Sequence, residues 1–123
     1  MLDRPENVIV KKTEAFADRI VKMCRYLSEK KCGNVEMVKQ IVRCGTSVGA
    51  NTAESQYAQS RADFLSKLSI ALKEANETKF WLGRLYAAEH LTKGEYDSIL
   101  NDNVEIIKLL TSITKTVKSS QQE

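Results

Sequence analysis

The sequence predicts an all-α protein, an antiparallel up-down-up-down four-helix bundle that forms a single domain over residues 1–123. Three observations support this prediction. The chain has 123 residues, which suits one core, and 42% are hydrophobic against 28% charged. It contains a single proline, Pro5, so little interrupts long helices. Four segments carry apolar residues at helical spacing, and the short connections between them make neighbouring helices antiparallel.

The first helix is predicted at about residues 8–30, after a polar lead-in at residues 1–7. Gly33 suits the left-handed residue that ends this helix, and Asn34 suits the N-cap of the next one. The predicted core stripe has spacings of four, three and four residues, which share one helical face. It consists of Phe16, Ile20, Met23 and Leu27.

The second helix is predicted at about residues 35–57 and contains two glycines, Gly45 and Gly49, four residues apart. A glycine within a helix costs about 1 kcal/mol relative to alanine. Their place on the apolar side therefore indicates a close backbone approach by another helix, with a local kink as the alternative. The predicted core face is Val38, Ile41, Val42, Gly45, Val48, Gly49 and Thr52.

Helices three and four are predicted at about residues 61–89 and 93–118, followed by a polar tail at residues 119–123. Ser60 with Asp63 resembles a capping box, and Thr92 with Glu95 is a cleaner one. The predicted core stripe of helix three is Phe64, Leu65, Leu68, Ala71, Leu72, Ala75, Leu82 and Tyr86. That of helix four is Tyr96, Ile99, Leu100, Asn103, Ile106, Ile107, Leu110, Ile113 and Val117.

Charge and cysteine content restrict the class of protein. The formal net charge of +3 permits binding to polyanions without requiring it. The cysteines Cys24, Cys32 and Cys44 are odd in number and not closely paired, which favours reduced thiols. No stretch approaches the roughly 20 apolar residues that span a bilayer, and the N-terminus is charged. We therefore expect a cytoplasmic protein with no membrane partner.

The residues that could support chemistry do not form a recognisable catalytic or metal-binding pattern, so we expect no enzyme and no cofactor. Di-iron bundles need Glu-x-x-His pairs, but Ala87 lies three residues before the only histidine, His90. One histidine near a helix end is thin support for a cysteine nucleophile. Glu74 and Glu77 fit ordinary solvated charges. The segment GTSVGAN lacks the Gly-Lys-Ser/Thr of a phosphate loop.

The first helix carries most of the excess positive charge. Residues 8–31 contain seven basic and three acidic side chains. Several of the basic ones fall in one sector beside the core face, with Tyr26 among them, and such a stripe can follow a phosphate backbone. A merely solvated lysine face is the alternative. The predicted nucleic-acid-binding residues are Lys11, Lys12, Arg19, Lys22, Arg25 and Lys30.

Helices two and three each show a second face opposite the core. Ile70 and Trp81 share the outer stripe of helix three with carboxylates, which is typical of a subunit contact. The alternative is that Trp81 folds over the edge of the bundle. We hypothesise that Arg43 of one subunit pairs with Glu74 or Glu54 of another. The predicted oligomer-interface residues are Arg43, Ser47, Asn51, Glu54, Ile70, Glu74 and Trp81.

The segment 40–82 contains a recognisable motif at Arg43, Ser47, Val48, Asn51, Ala53, Glu54, Phe64, Ser69, Ile70 and Glu74. With this motif the segment resembles the four-helix bundle family labelled S23 ribosomal protein, first noted as reading frames within intervening sequences of bacterial 23S rRNA genes. The resemblance implies a homopentamer arranged as a barrel around a channel. The family is also similar to the accessory variability protein of diversity-generating retroelements, a basic pentamer that binds nucleic acid and a reverse transcriptase.

Together these observations predict a non-catalytic homo-oligomer, pentameric by resemblance, that binds structured RNA or DNA through basic residues of helix one. The alternative function is a protein-interaction adaptor that docks a partner such as a reverse transcriptase, with nucleic-acid binding incidental. The modest net charge of +3 keeps this alternative open.

Overall fold

The computed structural model describes residues 5–31 and 34–122, and it describes the side chains of residues 8–31 and 34–120. The described residues form four α-helices and no strand, which confirms the predicted fold class. The helices are α1 (Pro5–Glu29), α2 (Val35–Ser55), α3 (Arg61–Ala87) and α4 (Lys93–Gln122). No helix within these ranges is long and apolar enough to cross a membrane.

The helices surround one core in the cyclic order α1, α2, α3, α4, and α4 closes the ring against α1. Contacting residues run in opposite directions along each neighbouring pair. Arg43 of α2 pairs with Glu74 of α3. Glu54, which lies later in α2, pairs with Lys67, which lies earlier in α3. Neighbours are therefore antiparallel, as short connections require. The pair α1 and α4 packs least closely of the four.

The core consists of apolar side chains from all four helices. Burying each one fully contributes about 1.5–3 kcal/mol relative to leaving it exposed. Three of the four residues predicted for the α1 stripe are fully buried, and the fourth, Met23, packs against the core. The largest buried apolar side chains are Phe16, Ile9, Ile20, Leu27, Ile41, Leu68, Leu82, Leu85, Ile106, Leu110 and Val48.

Two glycines let α1 and α2 approach closely, as the sequence predicted. A Cβ at Gly45 would lie 2.8 Å from Ile20 Cγ2, and one at Gly49 would lie 3.1 Å from the carbonyl oxygen of Thr13. Real Cβ atoms essentially never lie as close as the first distance. Ile20 is fully buried, so it has little room to move aside. Gly45 and Gly49 are thus required by the approach of α1.

All three predicted N-cap residues cap their helices, and one of the two predicted capping boxes is complete. Asn34 Oδ1 accepts hydrogen bonds from the backbone N–H groups of Glu36 and Met37. Thr92 and Glu95 form a reciprocal capping box, with bonds of 2.8 and 3.1 Å. At α3, Ser60 Oγ accepts from the Asp63 N–H, but the Asp63 carboxylate bonds the N–H of Gln59 instead of Ser60. The shorter aspartate side chain therefore does not complete the box.

Several predicted boundaries differ from the structure. Helix α1 begins at Pro5, within the predicted lead-in, because proline suits the first turn, where its missing N–H is not needed. Helix α4 continues through most of the predicted tail to Gln122, whereas α2 and α3 each end two residues before the predicted limits. After the end of α3, Glu89 adopts the left-handed conformation (φ 65°), and the His90 N–H donates to the Leu85 carbonyl oxygen. Gly33 and Cys32 lie outside the described residues.

One predicted core residue of α3 is wrong. Tyr86 is 38% exposed, and the residue before it, Leu85, is fully buried instead. The next buried position after Leu82 is three residues later and not four. An ideal helix has 3.6 residues per turn, so its buried face shifts relative to any fixed repeat over a long span. Tyr86 instead stacks on Tyr96 of α4, with ring centroids 4.5 Å apart and planes 1° from parallel.

Candidate functional site

Helix α4 holds two of the six predicted nucleic-acid-binding residues in ion pairs. Lys12 Nζ lies 2.6 Å from Glu105 Oε1, and Arg19 Nη1 lies 2.6 Å from Asp102 Oδ2. The Arg19 guanidinium also donates to the backbone carbonyl and the hydroxyl oxygen of Ser98, at 3.3 and 3.0 Å. These carboxylates offset the charge of the first half of the predicted stripe.

A cationic cluster remains at the C-terminal end of α1, formed by Lys22, Arg25, Tyr26 and Lys30. The residues Lys22, Tyr26 and Lys30 are four apart, so they form one line along the helix. Lys30 Nζ lies 4.4 Å from the centre of the Tyr26 ring, a cation–π contact, and that ring is 43% exposed. Among residues 5–31 and 34–122, neither Lys22 nor Arg25 forms an ion pair. The cluster thus interleaves cations with an aromatic ring.

A groove of about 590 Å³ lies between α1 and α4 beside the cationic cluster. Its floor is apolar and includes Met23, Leu91 and Ile99. Arg19, Lys22 and Tyr26 line it from α1, while Gly94, Glu95 and Ser98 line it from α4. A Cβ built on Gly94 would meet no atom within 4 Å, so the missing side chain leaves this part of the groove open.

A smaller hollow adjoins the groove and is lined by Lys22, Arg25, Tyr26 and Glu29. Lys22 and Tyr26 line both spaces, so they form the ridge between them. The sequence indicated the basic stripe and the tyrosine, but it did not indicate the groove. The residues it missed are Met23, Leu91, Gly94, Ser98 and Ile99, whose pattern resembles an ordinary core stripe with small residues beside it.

The outer face of α2 and α3 carries the seven predicted interface residues, and cross-helix contacts hold these two helices together there. Arg43 Nη1 lies 3.2 Å from Glu74 Oε2, and Arg43 Nη2 bonds the Glu77 carboxylate. Lys67 Nζ lies 3.2 Å from Glu54 Oε2. The pairing of Arg43 with Glu74 that we hypothesised between subunits is therefore made within one chain, and Glu54 also has a partner in its own chain.

Glu77 connects Arg43 to the only tryptophan. The Trp81 Nε1–H donates to Glu77 Oε2 at 3.2 Å, in addition to the bond from Arg43. The hydrogen bond from Arg43, and secondarily that from Trp81, hold the pKa of the Glu77 carboxyl below its usual value. The sequence treated Glu77 as an ordinary solvated charge, whereas it is the shared acceptor of this face.

The apolar residues of the outer face differ in exposure. Trp81 is partly buried against the core and lines a hollow with Met37 and Gln40, as expected if it folds over the edge of the bundle. Ile70 and Phe80 remain 39% and 57% exposed. On α2, Asn51 Nδ2 donates to the Ser47 carbonyl at 2.9 Å, and both side chains are half-buried. The role of these residues in a subunit contact stays a prediction.

The described cysteines lie in the interior. Cys24 and Cys44 are buried free thiols, and the Cys24 S–H points to the Val38 carbonyl oxygen 4.0 Å away. Burial raises the pKa of the Cys24 thiol to about 11, and it also raises the pKa of Cys44. A nucleophilic cysteine needs the opposite shift. Among the described residues, no cluster of His, Cys, Asp and Glu could hold a metal ion.

Comparisons with known proteins agree with the resemblance found in the sequence. The family model described as 23S rRNA-intervening sequence protein matches residues 5–112. A solved structure of a protein of unknown function from the S23 ribosomal protein family of Bacteroides thetaiotaomicron VPI-5482 is 52% identical and superposes with a TM-score of 0.87. It covers 91% of this chain and 99% of its own. None of the curated proteins compared with the chain matches it.

Proposed function

The chain belongs to the 23S rRNA-intervening sequence protein family, and from this premise we propose that it is a non-catalytic homo-oligomeric bundle that binds structured RNA or DNA. The binding surface is the basic side of α1. The oligomer is the pentamer that the family resemblance implies, and its contact surface is the outer face of α2 and α3. A cytoplasmic location is part of the same proposal, and the reduced, buried thiols Cys24 and Cys44 support it.

The cationic cluster at the end of α1 is the observation that carries this proposal. Its cations surround an exposed aromatic ring, a combination that serves both phosphate contacts and base stacking. Lys12 and Arg19 contribute less, because α4 already supplies their counter-charges. An oligomer repeats the cluster in each copy, which multiplies the phosphate contacts although each chain has a net charge of only +3.

Filter binding of a structured RNA and of duplex DNA across a salt series tests the proposal. Phosphate-based binding weakens steeply with salt, and the affinity varies little with sequence. We expect the double variant Lys22→Gln/Arg25→Gln to lose affinity and to show a shallower salt dependence. The matched control Lys12→Gln/Arg19→Gln removes the same number of charges from the same helix and should lose less. No binding to either nucleic acid at low salt contradicts the proposal.

Sedimentation of the purified protein at micromolar concentration tests the proposed assembly. We expect a pentamer in the wild type and a smaller species in Ile70→Asp or Phe80→Asp, because a carboxylate in an apolar contact is costly to bury. A wild-type protein that sediments only as a monomer contradicts this part. The variants keep their helices, since both side chains are substantially exposed in one chain.

A protein-interaction adaptor is the second candidate function, and the exposed apolar residues of α3 favour it. Ile70 and Phe80 would then contact a partner protein such as a reverse transcriptase and not a second copy. A partner that binds the wild type but not Phe80→Asp, with no change when RNA is removed by ribonuclease, would support this function. Catalytic turnover that Glu74→Gln abolishes without changing the assembly would contradict both candidates.

A further inference from the structure

The groove between α1 and α4 has the size and lining of a ligand site. Its volume of about 590 Å³ lies within the roughly 300–1,000 Å³ of small-molecule pockets. Most of its lining is apolar, and its polar groups lie at the rim. It exists because α4 presents Gly94 and Ser98 to α1, and neither has a side chain long enough to fill the space.

The rim of the groove combines an aromatic ring with positive charge. Tyr26 and Lys22 stand between the groove and the adjoining hollow, and Arg25 lines the hollow beside them. Two of the nearby carboxylates already have partners. Glu95 accepts the Thr92 N–H and Asp102 pairs with Arg19, which leaves Glu29 as the carboxylate of the hollow beside Lys22 and Arg25.

An apolar floor, an aromatic edge and flanking cations match the chemistry of an unstacked nucleotide. Its base has a flat apolar face and its phosphates are negative. Bases within a duplex are covered by their neighbours on both faces, whereas bases in loops, bulges and single strands can turn outward and stack on aromatic side chains. A merely apolar partner would make no use of the charges at the rim.

We propose that the α1–α4 groove binds one unstacked base of single-stranded RNA, with Tyr26 stacking on the base and Lys22 and Arg25 contacting the adjacent phosphates. This inference rests on the proposed nucleic-acid function and names the part of the ligand that is recognised. The preferred ligand is an unpaired segment, such as a loop, and not a continuous duplex.

Fluorescence anisotropy of a short labelled single-stranded RNA, alone and annealed to its complement, tests this proposal with the full-length protein. We expect the single strand to bind more tightly at the same salt concentration. Tyr26→Leu should weaken single-strand binding by roughly 5- to 150-fold, the range seen when a stacking side chain is lost. Tyr26→Phe keeps the ring and should bind nearly as well as the wild type.

Tyr57→Leu is the matched control, since Tyr57 is 87% exposed and lies in the connection between α2 and α3, away from the groove. A fluorescent purine analogue in the RNA should lose emission on binding the wild type and Tyr26→Phe, but not Tyr26→Leu. Helicity measured by circular dichroism verifies that each variant is folded.

The two proposals fail in different ways. If neither RNA form binds at low salt, the groove inference is wrong, and if duplex DNA does not bind either, the proposed function is wrong as well. If both forms bind equally and Tyr26→Leu behaves like Tyr57→Leu, nucleic-acid binding stands but the groove inference is overturned. The groove would then be left for another occupant, such as a partner helix.

Discussion

Helix α1 meets its two neighbours in different ways. Against α2 it approaches so closely that a Cβ at Gly45 would lie 2.8 Å from Ile20 Cγ2, and one at Gly49 would lie 3.1 Å from the Thr13 carbonyl oxygen. Against α4 it packs loosely, and the two helices are joined at the surface by the ion pairs of Arg19 and Lys12. The difference shows that one amphipathic helix can pack tightly against one neighbour and leave a groove against another. The proposed nucleic-acid site lies on the more loosely packed side.

Thiol reactivity should show the largest difference between these two sides. In a Cys32→Ser background, we expect Cys24 to react at least about 100-fold more slowly than a cysteine placed in the groove by Gly94→Cys, and Cys44 to react more slowly as well. Burial holds the pKa of Cys24 at about 11, against an ordinary 9.0, which lowers the thiolate fraction about 100-fold. A chromogenic disulfide reagent at mildly alkaline pH measures the rates.

Denaturant supplies the control for that measurement, because all thiols become accessible in the unfolded chain. Equal rates for Cys24 and the groove cysteine under native conditions would mean that α1 and α2 separate readily. The comparison between a closed and an open side of α1 would then be wrong.

A methyl group added to α2 and one added to α4, the two neighbours of α1, should have opposite effects on the free energy of unfolding. Gly45→Ala gains helix propensity but places a Cβ 2.8 Å from Ile20 Cγ2, and we expect a net loss of about 1–3 kcal/mol in the free energy of unfolding. The added Cβ of Gly94→Ala meets no atom within 4 Å, so the free energy of unfolding should rise by up to about 1 kcal/mol. Urea unfolding monitored by circular dichroism measures both values. A stabilised Gly45→Ala would contradict the close approach.

The ion pair between Arg19 and Asp102 should contribute little to stability. Both side chains are nearly half exposed, so we expect a coupling of about 0.2–1 kcal/mol. A double-mutant cycle with Arg19→Gln and Asp102→Asn measures it. A much larger coupling would mean that α1 and α4 depend on this pair for their association, and the groove could not be described as an open side.

An effect of similar size should come from Glu77, on the face of α2 and α3. Its pKa is lowered in the folded state, so its stabilising contribution is present above the ordinary glutamate pKa and is lost as the pH falls through the lowered value. We expect Glu77→Gln to cost up to about 1 kcal/mol at neutral pH, since the bonded side chains are partly exposed. This cost should disappear at acidic pH.

Unfolding followed by Trp81 fluorescence at several pH values measures that trend, because this is the only tryptophan in the chain. Glu74→Gln is a suitable comparison, as Glu74 bonds the same arginine but not the indole. A Glu77→Gln deficit that persists unchanged at acidic pH would contradict the assignment.

Features that depend on neighbours along the chain could be predicted from the sequence. The Thr92–Glu95 capping box, the N-cap at Asn34 and the core stripes follow from spacings of three and four residues, which a helix fixes. The close approach at Gly45 and Gly49 was also predictable. A glycine within a helix costs stability, so its place on the apolar face indicates that another helix comes close there. The error at Tyr86 arose where the stripe drifts by one position late in a long helix.

Contacts between distant residues could not be predicted in this way. Arg19 and Asp102 are 83 positions apart, and their pairing depends on which helix lies beside α1 and on the register between the two helices. The groove depends on the small size of Gly94 and Ser98, which no pattern of apolar residues reveals. The internal pairing of Arg43 was missed for the same reason.

The glycines of α2 also bear on how members of this family can diverge. A larger side chain at Gly45 would need a smaller one at position 20, so we expect these two positions to vary together. Gly94, Ser98 and Tyr26 carry no such constraint, and each can be replaced without disturbing the core. We expect relatives to differ most on this side of α1, where new ligand preferences can evolve at little cost to folding.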